Sequence, residues 1–157
     1  MSDKPLHILL ADDDFDDCLI FEEALKELPL PTCFTTVHDG EQLMRNLVRK
    51  TKPPVDVLFL DLNMPRKNGY ECLVAIKDNV DLKDIPVIIF STTSESDIVA
   101  QLFDCGALHY IRKPSDFEKL KSVIRQALQI ILGGVTATHA TLQRRFPTND
   151  FILTGEL

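Results

Sequence analysis

Two short apolar runs constrain the fold of this chain more than any other feature of its sequence. VDVLFL (55–60) and PVIIFS (86–91) are strand-like, and almost every position in them is apolar. A strand with one face in water would instead alternate apolar and polar residues. The two runs therefore predict strands that are buried on both faces, as in a parallel sheet covered by helices.

Strand-like and helical patterns alternate five times along the chain. Strands are expected at 7–11, 33–40, 55–60, 86–91 and 108–112, and helices at 18–28, 41–50, 70–78, 96–106 and 115–132. With right-handed crossovers, this order predicts an α/β protein with a doubly wound parallel sheet. Functional sites in such sheets lie outside the carboxyl ends of the strands.

The helical patterns also predict which residues face the core and which residues end the helices. In the first helix, the residues expected to share a face are Leu19, Ile20, Ala24 and Leu28. Ser94 or Ser96 could cap the start of the fourth helix, and Gly106 is expected to cap its end. The last helix is expected to begin with a cap at Ser115 or Asp116.

Carboxylates follow two of the predicted strands. Asp61 stands directly after VLFL, and the first strand leads into ADDDFDD (11–17), which contains five aspartates. An acid near a helix N-terminus stabilises the helix by about 0.3–1 kcal/mol. This effect accounts for Asp16 and Asp17 in the first turn of the next helix, but it does not account for a cluster.

A bound cation would relieve the repulsion between the remaining acids. Asp12 and Asp13 are the predicted metal ligands, and Asp14 is a looser member of the group. An EF-hand calcium loop is an alternative that would use Asp12, Asp14, Asp16 and Glu23. It is disfavoured because Asp17 stands where that loop needs glycine, and because a strand rather than a helix precedes it.

A hydroxyl and an ammonium group are expected at the same edge of the sheet. The fourth strand ends at Ser91, and Lys113-Pro114 follows the fifth strand. Helix capping is the simpler explanation of the hydroxyl, and a lone lysine is usually a solvated charge. An X–Pro bond can be cis, so Pro114 is a candidate cis proline.

Composition excludes several classes of function. The net charge of −7 disfavours non-specific nucleic-acid binding, which depends on Lys and Arg. No apolar run approaches the ~18 residues of a membrane span, and MSDKPLH at the start has no apolar signal-peptide core. The four cysteines form no CxxC pair, and the four histidines lack metal-ligand spacing. We therefore expect a cytoplasmic protein that binds neither nucleic acid nor membranes directly.

Four motifs, in order, resemble the receiver domain of two-component response regulators. They are ILLADDD (8–14), VLFLDLNMPRKNGYE (57–71), IPVIIFSTT (85–93) and YIRKP (110–114). The resemblance covers residues 6–132 and implies a flavodoxin-like receiver fold, with a five-stranded parallel sheet of order 2-1-3-4-5 and helices on both faces. The link NVDLKDIP (79–86) and the lack of an effector domain resemble the single-domain regulators, including those that serve bacteriophytochromes.

The resemblance implies a phosphorelay function for the acidic residues. Asp61 matches the phosphoacceptor, which would take a phosphoryl group from a phosphohistidine of a sensor histidine kinase. Asp12 and Asp13 match the acid pair that binds Mg²⁺ together with Asp61, and the backbone carbonyl of Asn63 matches a further ligand. Beyond Mg²⁺-dependent self-phosphorylation and slow self-dephosphorylation, no enzyme activity is expected.

The resemblance also implies how the signal leaves the site. Ser91 and Lys113 match residues that stabilise the phosphoryl group, and Tyr110 matches the aromatic residue that switches with Ser91. The expected output surface runs from Ser94 to Lys121. The expected partners are a sensor kinase of the phytochrome or hybrid type, a histidine phosphotransfer protein and, in a homodimer, a second copy of the chain.

Two other classes of protein with related sheets are alternatives. Phosphatases of the haloacid dehalogenase type also attack phosphate with a strand-end aspartate, but they need a second acid two residues later, where this chain has Asn63. A nucleotide- or flavin-binding module would have a Gly-rich phosphate loop after the first strand, where this chain has ADDDFDD. Both alternatives are disfavoured.

Residues 133–157 lie beyond the receiver pattern and are expected to form a tail, not a separate effector domain. FILTG (151–155) could add an edge strand, pack on a partner subunit or be disordered. We expect the tail to assist dimerisation or kinase docking.

Overall fold

The protein folds into a parallel sheet with helices on both faces. The structure is a computed structural model that describes residues 4–49, 54–93 and 95–133 and, for the backbone alone, 152–153. The strands are β1 (Leu6–Ala11), β2 (Thr32–Val37), β3 (Val57–Leu60), β4 (Val87–Ser91), β5 (His109–Arg112) and β6 (Ile152–Leu153). The helices are α1 (Phe15–Lys26), α2 (Gly40–Val48), α3 (Gly69–Asp78), α4 (Ser96–Asp104) and α5 (Phe117–Leu132). The alternation predicted from the sequence is therefore confirmed.

The sheet has the strand order β2-β1-β3-β4-β5-β6, which confirms the predicted order 2-1-3-4-5 and adds one strand at its edge. Every neighbouring pair of strands is parallel. Ile152 and Leu153 pair with Tyr110 and Ile111. This pairing agrees with the edge-strand alternative for FILTG, while residues 134–151 and 154–157 of the tail lie outside the described residues.

The core has two layers, one on each face of the sheet. Successive side chains of a strand point to opposite faces, so β1 gives Ile8 and Leu10 to one layer and Leu9 and Ala11 to the other. Helices α1 and α5 cover the first layer, and α2, α3 and α4 cover the second. All residues of β3 and β4 are buried, which confirms that these strands are hidden on both faces.

Two of the four residues predicted to face the core from the first helix are buried, namely Ala24 and Leu28, and the other two are not. The buried residues of α1 are Cys18, Phe21, Ala24 and Leu25. Leu19 and Ile20 are instead 60% and 45% exposed. Phe21 decides the orientation, because its ring packs edge-on against Phe59 with the centroids 4.9 Å apart and stacks on Phe34 at 5.5 Å. A buried aromatic ring contributes more apolar area than a leucine, so the helix turns this ring inward.

The helix ends follow the sequence signals in two cases out of three. Gly106 follows the end of α4 with φ of 108°, and Asp116 caps α5 by accepting a hydrogen bond from the Lys119 N–H. The start of α4 differs, because Glu95 is the N-cap without a side-chain bond and Ser96 is already helical. The alternative cap, Ser94, lies outside the described residues. No helix in the described part of the chain has the length and apolar character needed to cross a membrane.

The peptide bond between Lys113 and Pro114 is trans, so the expectation of a cis proline is wrong. The trans form of an X–Pro bond is favoured by about 0.5–1 kcal/mol. With the trans bond in place, the Lys113 N–H donates to the Ser91 carbonyl at 2.8 Å. The chain therefore holds the lysine beside the end of β4 without a cis bond.

His109 predicts how the stability of the fold depends on pH. Its side chain is fully buried, and burial lowers its pKa from 6.5 to about 4. Between these values the unfolded chain binds a proton that the folded chain excludes, so the free energy of unfolding falls as the pH falls. The loss attributable to this one group reaches about 3 kcal/mol.

We expect His109→Asn to flatten this dependence when urea unfolding is measured between about pH 7 and pH 4.5. The control is His38→Asn, which removes a histidine that is only half-buried. The change in slope should be larger for His109→Asn than for the control. Equal slopes in the wild type and in His109→Asn would contradict this account.

Candidate functional site

The carboxyl ends of four parallel strands bring the predicted site residues to one edge of the sheet. The residues at or directly after these ends are Asp12, Asp61, Ser91 and Lys113. The register explains the first two, because Ala11 pairs with Leu60 and the Asp61 N–H donates to the Ala11 carbonyl at 2.9 Å. Asp12 and Asp61 therefore lie side by side at the ends of β1 and β3.

Asp12, Asp13 and Asp61 form an acidic cluster at this edge. One carboxylate oxygen of each lies within 4.8 Å of the other two. Asp12 and Asp61 are 0% and 4% exposed, while Asp13 faces solvent. Mg²⁺ binds oxygens at about 2.0–2.1 Å, so oxygens on opposite sides of the ion lie about 4 Å apart. The spacing of these oxygens therefore fits a divalent cation.

Asp14 caps helix α1 and does not join the acidic cluster. Its carboxylate accepts hydrogen bonds from the N–H groups of Asp16 and Asp17, at 2.9 and 3.1 Å. Such bonds satisfy donors that have no partner within the helix. The EF-hand alternative needs this carboxylate as a ligand and a helix before the loop, whereas the loop follows strand β1. The arrangement therefore does not support an EF-hand.

Lys113 supplies the positive charge of the site. Its Nζ lies 2.8 Å from Asp12 Oδ2, 2.8 Å from Asp17 Oδ2 and 3.8 Å from Asp61 Oδ2. The ammonium also stands 5.4 Å from the centre of the Phe90 ring. Burial alone would lower the pKa of Lys113, but the close contacts of its ammonium with the carboxylates of Asp12 and Asp17 outweigh burial and raise the pKa above its ordinary value. The ammonium is therefore charged at neutral pH.

Asp61 is strongly perturbed by its surroundings. Burial raises its pKa to about 7, and the negative charge of Asp12 acts in the same direction. The positive charge of Lys113 and a hydrogen bond from the Asn63 backbone N–H lower the pKa and offset part of this shift. Strongly shifted carboxyl groups of this kind cluster at functional sites. The role of the Asn63 carbonyl as a metal ligand stays a prediction.

Ser91, Thr93 and Tyr110 form a hydrogen-bonded group beside the acidic cluster. Ser91 is fully buried, and its Oγ accepts a hydrogen bond from the Thr93 N–H at 3.3 Å. The Tyr110 hydroxyl donates to the Thr93 carbonyl, and its side chain is 0% exposed. Tyr110 is therefore part of the interior and is not a tyrosine on the rim.

His38 contacts the site, although its sequence context gave it no special role. Its Nδ1 lies 3.1 Å from the Asp12 carbonyl oxygen, and its ring lies 4.1 Å from the Phe15 ring. With a carbonyl as the acceptor, Nδ1 must carry the proton. The signal that could have identified His38 is its place directly after β2, at the same edge as the acids.

Gly69 allows helix α3 to begin against the backbone of Asp61. A Cβ at position 69 would lie 2.2 Å from the Asp61 carbonyl oxygen and 2.8 Å from Leu62 Cα. The Gly69 N–H donates to the Leu62 carbonyl at 3.0 Å. A reciprocal pair of bonds between Asn68 and Glu71 caps the helix at this point. The loop between β3 and α3 is thus closely fitted beneath the acidic cluster.

Comparison with known proteins identifies the family. The family model described as the response regulator receiver domain matches residues 8–125. The chain belongs to the response regulator receiver domain family. The response regulator Rcp1 of Synechocystis sp. is 30% identical over 128 residues, which cover 79% of this chain and 87% of that protein. A probable chemotaxis protein CheY of Rhizobium etli is 29% identical over 121 residues, covering 77% and 91%.

Solved structures agree with this receiver domain in fold. The crystal structure of the phosphorylated cyanobacterial phytochrome response regulator RcpA has a TM-score of 0.77 at 30% identity, and the match covers 85% of this chain and 98% of that one. The Mn²⁺-bound form of response regulator Rcp1 has a TM-score of 0.75 at 30% identity, covering 84% and 98%. The flavodoxin-like receiver fold is therefore confirmed, and the family implies a sensor kinase partner and a divalent metal ion.

Gly69→Ala is predicted to damage the receiver site through the backbone of Asp61. The new methyl group meets rigid backbone, so we expect a loss of about 1–3 kcal/mol in stability. We also expect Mn²⁺ affinity, measured by calorimetric titration, to fall about 10-fold or more because the backbone that supports Asp61, a predicted metal ligand, is displaced.

Gly106→Ala is the matched control for this prediction. Its φ of 108° makes alanine strained there as well, but the new Cβ would meet only the flexible side chain of Lys77, at 3.0 Å. We expect a similar loss of stability with unchanged Mn²⁺ affinity. Equal loss of affinity in both variants would show that Gly69 acts through global stability alone.

Proposed function

We propose that Asp61 is the phosphoacceptor of a phosphorelay and receives its phosphoryl group from a phosphohistidine of a sensor histidine kinase. The observation that carries this proposal is the setting of Asp61 at the end of β3, within 4.8 Å of carboxylate oxygens of Asp12 and Asp13 and 3.8 Å from the Lys113 ammonium. Phosphoryl transfer requires a positioned nucleophile amid groups that neutralise charge. A carboxylate is a competent nucleophile for this reaction.

We infer that the divalent cation of this receiver domain is Mg²⁺. Asp12, Asp13 and Asp61 would hold it, with the backbone carbonyl of Asn63 as a further proposed ligand. Hard oxygen ligands in this number suit Mg²⁺, which keeps several of its waters. When bound, the ion neutralises charge on the carboxylates and on the phosphoryl oxygens.

The protein groups then have defined tasks in the transfer. A carboxylate oxygen of Asp61 forms a bond to phosphorus while the bond from phosphorus to the imidazole nitrogen breaks, and the imidazole keeps that electron pair. The Lys113 ammonium and the Ser91 hydroxyl donate hydrogen bonds to the phosphoryl oxygens. Asn63, two residues after Asp61, has no carboxylate to activate water. We therefore expect slow self-dephosphorylation and not the turnover of a phosphatase.

We propose that Ser91 and Tyr110 carry the signal away from Asp61. A phosphoryl oxygen would draw the Ser91 hydroxyl from the Thr93 N–H, which now donates to it at 3.3 Å. Tyr110 would hold the shifted segment through its bond to the Thr93 carbonyl. The output surface would be the region from residue 94 to residue 121, and phosphorylation would shift the balance between two arrangements of it.

We further propose a phytochrome-type sensor kinase as the donor, because the relatives at 30% identity include Rcp1 and the phytochrome response regulator RcpA. In this proposal the receiver unit is residues 6–132. The tail from 133 to 157 assists dimerisation or kinase docking. The protein acts in the cytoplasm. A histidine phosphotransfer protein is a second proposed partner, which would take the phosphoryl group onward.

Incubation with acetyl phosphate and Mg²⁺ tests the phosphoacceptor directly. We expect the intact mass of the wild type to increase by one phosphoryl group and this gain to disappear in Asp61→Asn and with EDTA. Asp78→Asn, which removes an equal charge from the exposed end of α3, should be modified like the wild type. Modification of Asp61→Asn at the wild-type level would refute the assignment.

Phosphotransfer from purified kinases tests the partner. Autophosphorylated kinases of the phytochrome and chemotaxis types are mixed with the wild type and with a variant truncated at Gly133. Faster transfer from the phytochrome-type kinase supports the proposal, and faster transfer from the chemotaxis-type kinase contradicts it. Unchanged transfer and unchanged oligomeric mass after truncation would remove the proposed role of the tail.

A further inference from the structure

The ammonium group of Lys113 has its closest contacts with residues other than the phosphoacceptor. Its Nζ lies 2.8 Å from Oδ2 of both Asp12 and Asp17, but 3.8 Å from Oδ2 of Asp61. The last distance is too long for a direct hydrogen bond. The shortest contacts of the ammonium are therefore with two other carboxylates, and its contact with Asp61 is a longer ion pair.

Asp17 is the more replaceable of these two partners. It lies in the first turn of α1, where its N–H donates to Asp14 Oδ1 at 3.1 Å. Its side chain is 34% exposed, whereas that of Asp12 is fully buried. Water and the N-terminal end of the helix can stabilise the Asp17 carboxylate when the lysine leaves. The buried carboxylate of Asp12 lacks that alternative.

We propose that Asp17 is a positioning residue that holds Lys113 back from Asp61 in the unphosphorylated protein and competes with the phosphoryl group for the same ammonium. This inference rests on the proposed function of Asp61 as phosphoacceptor. On phosphorylation, Lys113 leaves Asp17 and turns toward the phosphoryl oxygens, while its contact with Asp12 remains. The strength of the contact with Asp17 then sets how readily the site takes up the phosphoryl group.

The size of the effect follows from the exposure of the pair. An ion pair with one partly exposed partner is weak because water competes for both charges. Loss of the Asp17 carboxylate should therefore tighten the binding of a phosphoryl group by about two- to fivefold. A general loss of negative charge near the site would also favour an anion, so the test needs a variant with the same charge and no contact with Lys113.

Asp16 provides this matched control. It lies in the same turn of α1, carries the same charge and faces solvent. The variants Asp17→Asn, Asp16→Asn and Asp17→Glu are titrated with beryllofluoride, a mimic of the phosphoryl group, at saturating Mg²⁺. Binding is followed in amide NMR spectra, and the fraction phosphorylated by acetyl phosphate is measured by mass in parallel.

We expect Asp17→Asn to bind beryllofluoride about two- to fivefold more tightly than the wild type and to reach a higher phosphorylated fraction. Asp16→Asn should gain less than half as much, and Asp17→Glu, which keeps a carboxylate within reach, should resemble the wild type. A gain in Asp17→Asn no larger than that in Asp16→Asn overturns the inference. Weaker binding in Asp17→Asn also overturns it, because Asp17 would then orient Lys113 toward the phosphoryl group.

The same titration separates this inference from the function on which it rests. Wild-type protein that binds beryllofluoride and is phosphorylated on Asp61 upholds the proposed function, whatever the variants of Asp17 do. If the wild-type protein neither binds beryllofluoride nor accepts a phosphoryl group, the proposed function is refuted. The proposed competition between Asp17 and the phosphoryl group for Lys113 is then refuted as well.

Discussion

The burial of two carboxylates beside one ammonium is the constraint on which the rest of the structure depends. Asp12 and Asp61 are almost inaccessible, and Lys113 lies within 4 Å of both. A buried charge that loses its partner costs about 3–5 kcal/mol. The ends of β1, β3 and β5 must therefore stay together, and the parallel register that joins them is what keeps these three charges in contact.

The elements that carry these charges could be predicted because their pattern is local. VLFL has no polar residue, and VIIFS has none before its last position. A pattern that is apolar on both faces indicates a strand covered on both sides. Asp61 could be placed at the site because it ends such a strand, and Asp12 because it ends the first one. The apolar pattern of the strands and their parallel direction are sufficient to place both carboxylates at the same edge of the sheet.

The details that sequence patterns missed depend on contacts between distant parts of the chain. Asp17 looked like one more acid in a helix first turn, because its partner Lys113 lies 96 residues away. The sequence makes Asp14 a looser member of the acidic group, but its carboxylate accepts hydrogen bonds from two N–H groups of α1. The helical spacing places Leu19 in the core, but Phe21 faces the core instead and leaves Leu19 exposed on the other side of the helix. In each case two uses of a residue compete, and only the packed structure decides between them.

The charge balance of the site explains why one lysine has so many partners. Asp12, Asp17 and Asp61 lie within 4 Å of the Lys113 ammonium, and Asp13 adjoins Asp12 and Asp61, so four carboxylates stand against one positive charge at this site. A divalent cation corrects most of this excess, and the spacing of the acidic cluster suits one. A phosphoryl group on Asp61 would add negative charge again, and Lys113 is the basic side chain already in contact with the cluster. Its ammonium now has its shortest contacts with Asp12 and Asp17. If the ammonium turns toward the phosphoryl group, the partly exposed Asp17 is the carboxylate that loses least when its contact is broken.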